Sequence, residues 1–508
     1  MFKTILQKLF SSASEEIETR STYKKPEFID KNRLKKVQTL FPKIDRLYEN
    51  YAKKYHVVGH SYAILLDGKL VHTHCGGYAN LEQKTSVTSQ TVFRVASITK
   101  SFTAMAILQL KEQGKLNMDD PVHLYLPEIK GQKLTQDAAE ITIRDLMVHG
   151  AGFPEDNAWG DRKLHITSDE LIAMIKQGIN FSTVTGAAYE YSNLGYGILG
   201  YIIGKISGMS CQDYIAKTIF RPLDMQQAAW EYTNVPSENL AHGYKWADGN
   251  WQEEGLLHDG AFASMGGMLA SIEDLSKYVG FHQNAWPARD DGDQGPVSRG
   301  TVRSMHEPRI IGDFSGKYKF LEGDALEFVS GYGYGLFWGK DTEGRVYVYH
   351  SGGLPGFGCN WLMLPHQGLA VAFLGNSTYV PAFDMNMQAL HMIIKQAKLE
   401  PRMLPVSSVL LERQKQLLDL LPDWDGAVTS GVFASNFFLD NNLEDLRKKT
   451  QELFAKIGKI TDEGEIVPQN QLRGYFVVKG RKGSLKINFT LAPDRGALIQ
   501  SFSVDVQR

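Results

Sequence analysis

Three short polar elements, spread far along one chain, constrain the fold more than anything else in it. Ser97-Ile98-Thr99-Lys100 opens a strongly apolar helix-like run that Gly114 stops, and Tyr191-Ser192-Asn193 lies in a loop-like stretch. His350-Ser351-Gly352-Gly353 ends the strand-like run Val346-Tyr347-Val348-Tyr349. The elements are separated by 94 and 159 residues. If they act together, the fold must carry a helix start, a loop and a strand end into one crevice. Each is weak alone. S-x-x-K recurs at Ser21–Lys24, Y-x-N at Tyr48, Tyr78 and Tyr232, and H-x-G at His74, His258 and His366. The weight lies in their order and in the local setting of each.

The first element carries chemistry. Positions i and i+3 share a helix face, so Lys100 sets an amine beside the Ser97 hydroxyl. A serine hydroxyl is a poor nucleophile without an adjacent base. A helix N-terminus adds unpaired N–H groups that favour developing negative charge. Free lysine and tyrosine titrate near ~10.4 and ~10, so either is a base at neutral pH about once in a thousand molecules or fewer. Burial depresses a lysine and raises a tyrosine, whereas a nearby cation depresses both. On the sequence alone Lys100 and Tyr191 titrate as one coupled pair, with the proton unassigned.

With these motifs in order, the chain resembles the serine β-lactamase and penicillin-binding-protein superfamily, closest to its class C-like branch of carboxylesterases and D-amino-acid peptidases. The resemblance extends over about residues 35–400 and includes Ala63–Leu70, Ile143–Gly152, Phe220–Met225 and Ser271–Leu275. It implies that Ser97 is the acylated nucleophile, Lys100 its partner and Tyr191 the proton shuttle. Asn193 would orient Lys100 and substrate. Gly352 and Gly353 would belong to the substrate strand, with the backbone N–H groups of Ser97 and Gly353 as oxyanion hole. His350 stands where the family's K-T-G element carries lysine. Histidine, with a reference pKa of about 6.5, is only partly charged at pH 7, so carboxylate recognition is expected to be weaker and pH-dependent.

The expected function is therefore a serine hydrolase acting through an acyl-enzyme on small esters or amides, like a carboxylesterase or D-amino-acid peptidase. The alternatives are a true β-lactamase or DD-peptidase and, in another class, a penicillin-binding sensor or scaffold without turnover. No cofactor is expected. The pairs His56/His60 and His72/His74 lack the third and fourth ligand of a zinc site, so no metal is expected. G-x-S-x-G and G-x-x-x-x-G-K-[ST] are absent. Net charge of −2 gives nucleic acid no handle, and no apolar run reaches the ~18 residues of a membrane span. Three scattered cysteines make no disulfide framework, though Cys359 falls where it would line the site. The amphipathic start Met1–Phe10 lacks a secretory apolar region, which points to a cytoplasmic enzyme. Oligomeric state stays open.

The fold class expected is α/β of the α+β kind: an antiparallel sheet flanked by helices, plus an all-helical subdomain, with a small C-terminal α+β module. Residues 1–30 read as a polar lead-in, 31–400 as the β-lactamase-like domain, 401–423 as linker and helix, and 424–508 as a small, cystatin-like domain. Asp67-Gly68 signals a hairpin; further strands are expected at 345–351, 358–364 and 369–375, with helices at 382–398, 407–421 and, in the C-terminal module, near 434–457.

Overall fold

Apolar residues in continuous or alternating runs build the central sheet. The computed structural model describes residues 23–323 and 325–507, so the Met1–Phe10 segment lies outside it. Among the described residues before 401 there are thirteen strands: β1 (Gly59–Leu66), β2 (Lys69–Asn80), β3 (Thr85–Ser86), β4 (Val92–Arg94), β5 (Tyr244–Ala247), β6 (Asn250–Glu253), β7 (Leu269–Ser271), β8 (Ile310–Lys319), β9 (Ala325–Tyr332), β10 (Phe337–Asp341), β11 (Val346–Leu354), β12 (Phe357–Leu364) and β13 (Leu369–Gly375). Nine form one antiparallel sheet in the order β3-β2-β1-β13-β12-β11-β10-β9-β8. The chain's first hairpin thus pairs with its last strand, β1 with β13. The β1–β2 turn has φ of 54° at Asp67 and 78° at Gly68, the doubly left-handed pair that a two-residue hairpin needs and that Asp-Gly supplies.

Both faces of the sheet are covered, which is why β12 and β13 are buried throughout. Side chains alternate across it with period two. Tyr62, Ile64, Tyr347, Leu362, Val371 and Phe373 face a layer made by the helices Phe41–Lys54 and Ala382–Ala397. Ala63, Leu65, Trp361, Met363, Ala372 and Leu374 join the other core, shared with the helical insert. At the centre of that insert is the helix Thr99–Glu112, buried from Thr99 to Leu110. A helix apolar all round has to sit inside. It packs against the helix Asn193–Ser207.

The sheet is larger than the sequence suggested. Strands β8, β9 and β10 extend it beyond β11. β8 is an edge strand with a mixed polar sequence and shifts in register against β9, and such edges carry little alternation to read.

Two compact units divide the described residues, one spanning Asp30–Pro401 and the other containing residues 402–507 with residues 23–29. The second has a five-stranded antiparallel sheet of β14 (Ile460–Asp462), β15 (Val467–Asn470), β16 (Arg473–Gly480), β17 (Gly483–Leu491) and β18 (Ile499–Val506). Its inner face, with Phe476, Val478, Leu485, Ile487 and Phe489, packs with the helices Ser408–Leu420 and Leu443–Ile457. The long helix expected from about 434 is broken: Phe437–Asp440 stops, and Asn442 caps a new start by accepting from the Glu444 and Asp445 N–H groups at 2.9 and 3.2 Å.

Candidate active site

Ser97 sits in a single 3-10 turn, Ala96–Ile98, immediately before the helix that carries Lys100. Lys100 follows Ser97 by three residues, so the two side chains share the face on which the helix opens. The turn is held from several sides. Val95 N–H donates to the Met268 carbonyl at 3.0 Å, and Thr99 Oγ1 donates to the Ala96 carbonyl at 2.6 Å. Ala96 itself takes φ of 49°, a left-handed conformation that alanine rarely adopts. Strain of this kind concentrates at functional sites.

Lys100 is fully buried, with an exposure of 0%. Its Nζ lies 3.1 Å from Ser97 Oγ, 2.6 Å from Asn193 Oδ1 and 2.8 Å from the Met265 carbonyl. Burial pulls its pKa down to about 7, against the opposing pull of Asp161 and Asp156. Burial has the reverse effect on Tyr191, pushing its phenol well above the ordinary value, while the neighbouring Ser97 hydroxyl partly offsets this. The Lys100 ammonium lies 4.7 Å from the Tyr191 ring centroid.

Tyr191 and Asn193 are positioned by residues from two other segments. Asp156 accepts from the backbone N–H of Asn193 at 2.6 Å and of Leu194 at 2.9 Å, at the start of the helix that Ser192 caps. Asn193 Nδ2 donates to Asn157 Oδ1 at 3.1 Å, which leaves its Oδ1 turned to Lys100. His149, with φ of 60°, grips the tyrosine's backbone on both sides. Its carbonyl accepts from Glu190 N–H at 2.9 Å and its Nδ1 from Ser192 N–H at 3.0 Å. Neither Asp156 nor His149 stood out in the sequence as a working residue. A histidine followed closely by two glycines, Gly150 and Gly152, was the available sign.

The third element enters on β11. Pairing with β10 ends at Phe337↔Tyr349, so from His350 onward the strand turns that edge towards the Ser97 turn. Gly352 makes the approach possible: a Cβ there would lie 2.3 Å from the Val95 carbonyl oxygen and 3.0 Å from the Ala96 Cβ. Cys359 lies beneath this contact rather than in the site's lining, its Sγ donating to the Val95 carbonyl at 3.0 Å.

His350 differs from the expectation of a half-charged group. It is buried, its Nδ1 donates to the Ser351 carbonyl at 2.6 Å, and its Nε2 accepts from the Tyr332 hydroxyl at 2.9 Å. Burial, together with the Lys100 charge, lowers its pKa to about 3. Both ring nitrogens are engaged in a neutral ring, which removes the pH dependence expected of it.

Ser97, Tyr191, His350 and Gly353 line one cleft of about 630 Å³, walled by Tyr189, Phe337 and Tyr379. Lys100 and Asn193 lie beneath its floor. A serine hydroxyl, a buried amine of depressed pKa and a strand end converge here, an arrangement able to support acyl transfer by a serine.

An antiparallel sheet with a helical insert and this cleft defines the β-lactamase/penicillin-binding-protein class of folds. A family description, Beta-lactamase, matches residues 44–392, and the chain belongs to that family. Protein flp of Staphylococcus aureus (strain N315) is 29% identical over 355 residues, covering 66% of this chain; the chain spans 64% of that relative's length. Penicillin-binding protein 4* of Bacillus subtilis (strain 168) is 24% identical over 480 residues, 91% of this chain and 95% of that protein. The solved structure of an octameric penicillin-binding protein homologue from Pyrococcus abyssi is similar in fold, with a TM-score of 0.59 at 23% identity, over 92% of this chain and 96% of that one. No helix among the described residues is long and apolar enough to cross a membrane.

Proposed function

We propose that this protein is a serine hydrolase that cleaves small esters or amides through an acyl-Ser97 intermediate. The observation that carries the reading is the Lys100 amine, wholly buried and 3.1 Å from Ser97 Oγ. With a pKa near 7 it is neutral in a large fraction of molecules, and Tyr191 stays protonated. Neutral Lys100 accepts the Ser97 proton as Oγ forms its bond to the substrate carbonyl carbon. The carbonyl oxygen takes the displaced electron pair and is held by the backbone N–H groups of Ser97 and Gly353. Removal of one such donor typically costs about 10²–10³ in rate. The intermediate collapses, the bond to the leaving oxygen or nitrogen breaks, and that atom receives the proton relayed through Tyr191. Water then attacks the acyl-enzyme and gives a proton to the Lys100–Tyr191 pair; the acyl–Oγ bond breaks, Ser97 Oγ takes that proton from the pair, and the acid leaves.

The neutral His350 favours an ester or amide hydrolase over an efficient β-lactamase, because a β-lactam or a D-alanyl peptide terminus brings a carboxylate that a cation would hold. The test is a panel of a fluorophosphonate, a nitrophenyl ester, a chromogenic cephalosporin and a D-aminoacyl amide, each with wild type and Ser97→Ala. Ester or amide turnover that disappears in the variant supports the proposal. Fluorophosphonate labelling without turnover indicates a sensor, and rapid cephalosporin cleavage overturns the inference from His350.

A further inference from the structure

The cleft is anionic, and its anion is built in rather than scattered. Asp161 lines it together with Ser97, yet the residue is only 3% exposed. Its Oδ2 accepts from the Tyr379 hydroxyl at 2.7 Å. Tyr379 has φ of 50°, and its ring lies so close over Gly353 that a Cβ on that glycine would sit 2.6 Å from the tyrosine Cδ1. Tyr379 therefore spans from the strand end that carries the Gly353 N–H to the Asp161 carboxylate. Among the described residues lining the cleft none is a lysine or arginine; Glu155 adds a second carboxylate, and His350 is neutral. The remaining walls are the rings of Tyr189, Tyr191, Phe337 and Tyr379, surfaces that attract a cation. A substrate carboxylate would meet like charge in this cleft, whereas an ammonium group would meet a carboxylate and aromatic faces.

We infer that Asp161 is a specificity-determining residue that binds a substrate ammonium group close to the scissile carbonyl, so that the preferred acyl donors are amine-bearing esters or amides. The inference rests on the acyl-enzyme reading above and names its substrate class. An ammonium held by Asp161 lies one tyrosine side chain from the Gly353 strand end, which limits the amine to the first few atoms around the carbonyl. Burial raises the Asp161 carboxyl to about 6, while the Tyr379 hydroxyl and the Lys100 charge draw it down and Asp156 and Glu155 push it up. Tyr191 faces it as well, and Tyr379 is in turn influenced by Arg162 and Glu254. The carboxylate is thus ionised at neutral pH and loses its charge under mildly acidic conditions.

Protection of Ser97 from a fluorophosphonate tests this without requiring turnover. Alaninamide, lactamide and succinamate present an ammonium, a neutral hydroxyl and a carboxylate on similar skeletons. Alaninamide should slow labelling at concentrations about 10- to 100-fold lower than lactamide, the ratio expected of a charge-assisted hydrogen bond, and succinamate should protect least. That preference should fall to about onefold in Asp161→Asn and, in wild type, should shrink by up to about tenfold on lowering the pH from about 7 to about 5, a range in which the amine itself stays charged. In Tyr379→Phe, which keeps the carboxylate but removes the hydrogen bond that holds it ionised, the preference should be lost at higher pH than in wild type. Equal protection by alaninamide and lactamide, best protection by succinamate, or a preference unchanged in Asp161→Asn would each overturn the inference while leaving the hydrolase reading intact. Failure of Ser97 to label at all would instead remove the hydrolase reading and this inference with it.

Discussion

His149 holds Tyr191 in place from both ends of its peptide backbone. The histidine carbonyl takes the N–H before the tyrosine and the histidine Nδ1 takes the N–H after it, while the two rings lie 4.3 Å apart. Burial and the nearby Lys100 charge keep the imidazole neutral, so it works as an acceptor and a packing surface rather than as an acid. His149→Phe would leave the Ser192 N–H buried without a partner, a loss of about 1–3 kcal/mol. The expected result is a fall of about 10- to 100-fold in acylation rate through misplacement of the phenol. Asparagine tolerates positive φ and offers a short oxygen acceptor, so His149→Asn should recover part of that rate. Fluorophosphonate labelling rates beside thermal unfolding of both variants separate a positioning defect from general destabilisation. Labelling rates tracking the melting temperature alone would refute the positioning role.

The pH profile of acylation should follow Lys100. The folded-state pKa is lowered to about 7, so the neutral, proton-accepting amine increases as pH rises through that value, and the labelling rate should rise with it. Lys100→Ala and Tyr191→Phe should each remove most of the acylation. A near-wild-type rate in either would contradict the mechanism of a Lys100 base with a Tyr191 relay, and an acidic limb that persists in Lys100→Ala would assign the titration elsewhere.

Burying that amine has a stability consequence with a definite sign. The unfolded chain holds the proton up to its ordinary value of 10.5, and the folded protein releases it near 7. Between those limits the unfolded state binds more protons, so stability rises with pH, with a slope of about 1.4 kcal/mol per unit from this group. Lys100→Met abolishes that slope. Denaturant titrations at several pH values above 7 should show wild type gaining on the variant as pH increases, and parallel curves would rule the effect out.

Gly352 is predicted to be intolerant of even one methyl group. A Cβ there meets backbone at Val95 and the Cβ of Ala96, neither of which can swing away. Overpacking of this kind costs about 1–3 kcal/mol. Because the yielding element is the turn that carries Ser97, Gly352→Ala should lose acylation more severely than stability. Labelling measured well below the unfolding midpoint makes the comparison, and wild-type labelling in Gly352→Ala would show that the strand can retreat without cost.

Much of the fold was legible in the chain because its signals are local. The hairpin at Asp67-Gly68, the run at β13, and the buried helix after Ser97 each declare themselves through turn chemistry or through apolar residues in the right period. Strand β8 did not, since an edge strand needs no alternating apolar face, and the helix ending at Asp440 gave way to a second start because a capping asparagine competes with continuation.

Residue types, their spacing and their order along the chain were enough to single out Ser97, Lys100, Tyr191, Asn193 and the His350–Gly353 strand, because the covalent pattern of a motif survives without its surroundings. Charge states were not available at that level. Whether Lys100 or Tyr191 gives up its proton first, and whether His350 carries charge, depends on desolvation and on partners that arrive from other segments of the chain, between 18 and 165 residues away. Met265, Asp156, Tyr332 and Asp161 supply those partners only after folding. Electrostatic energy is set by distance and burial in space, and the linear chain specifies neither until its tertiary structure has formed.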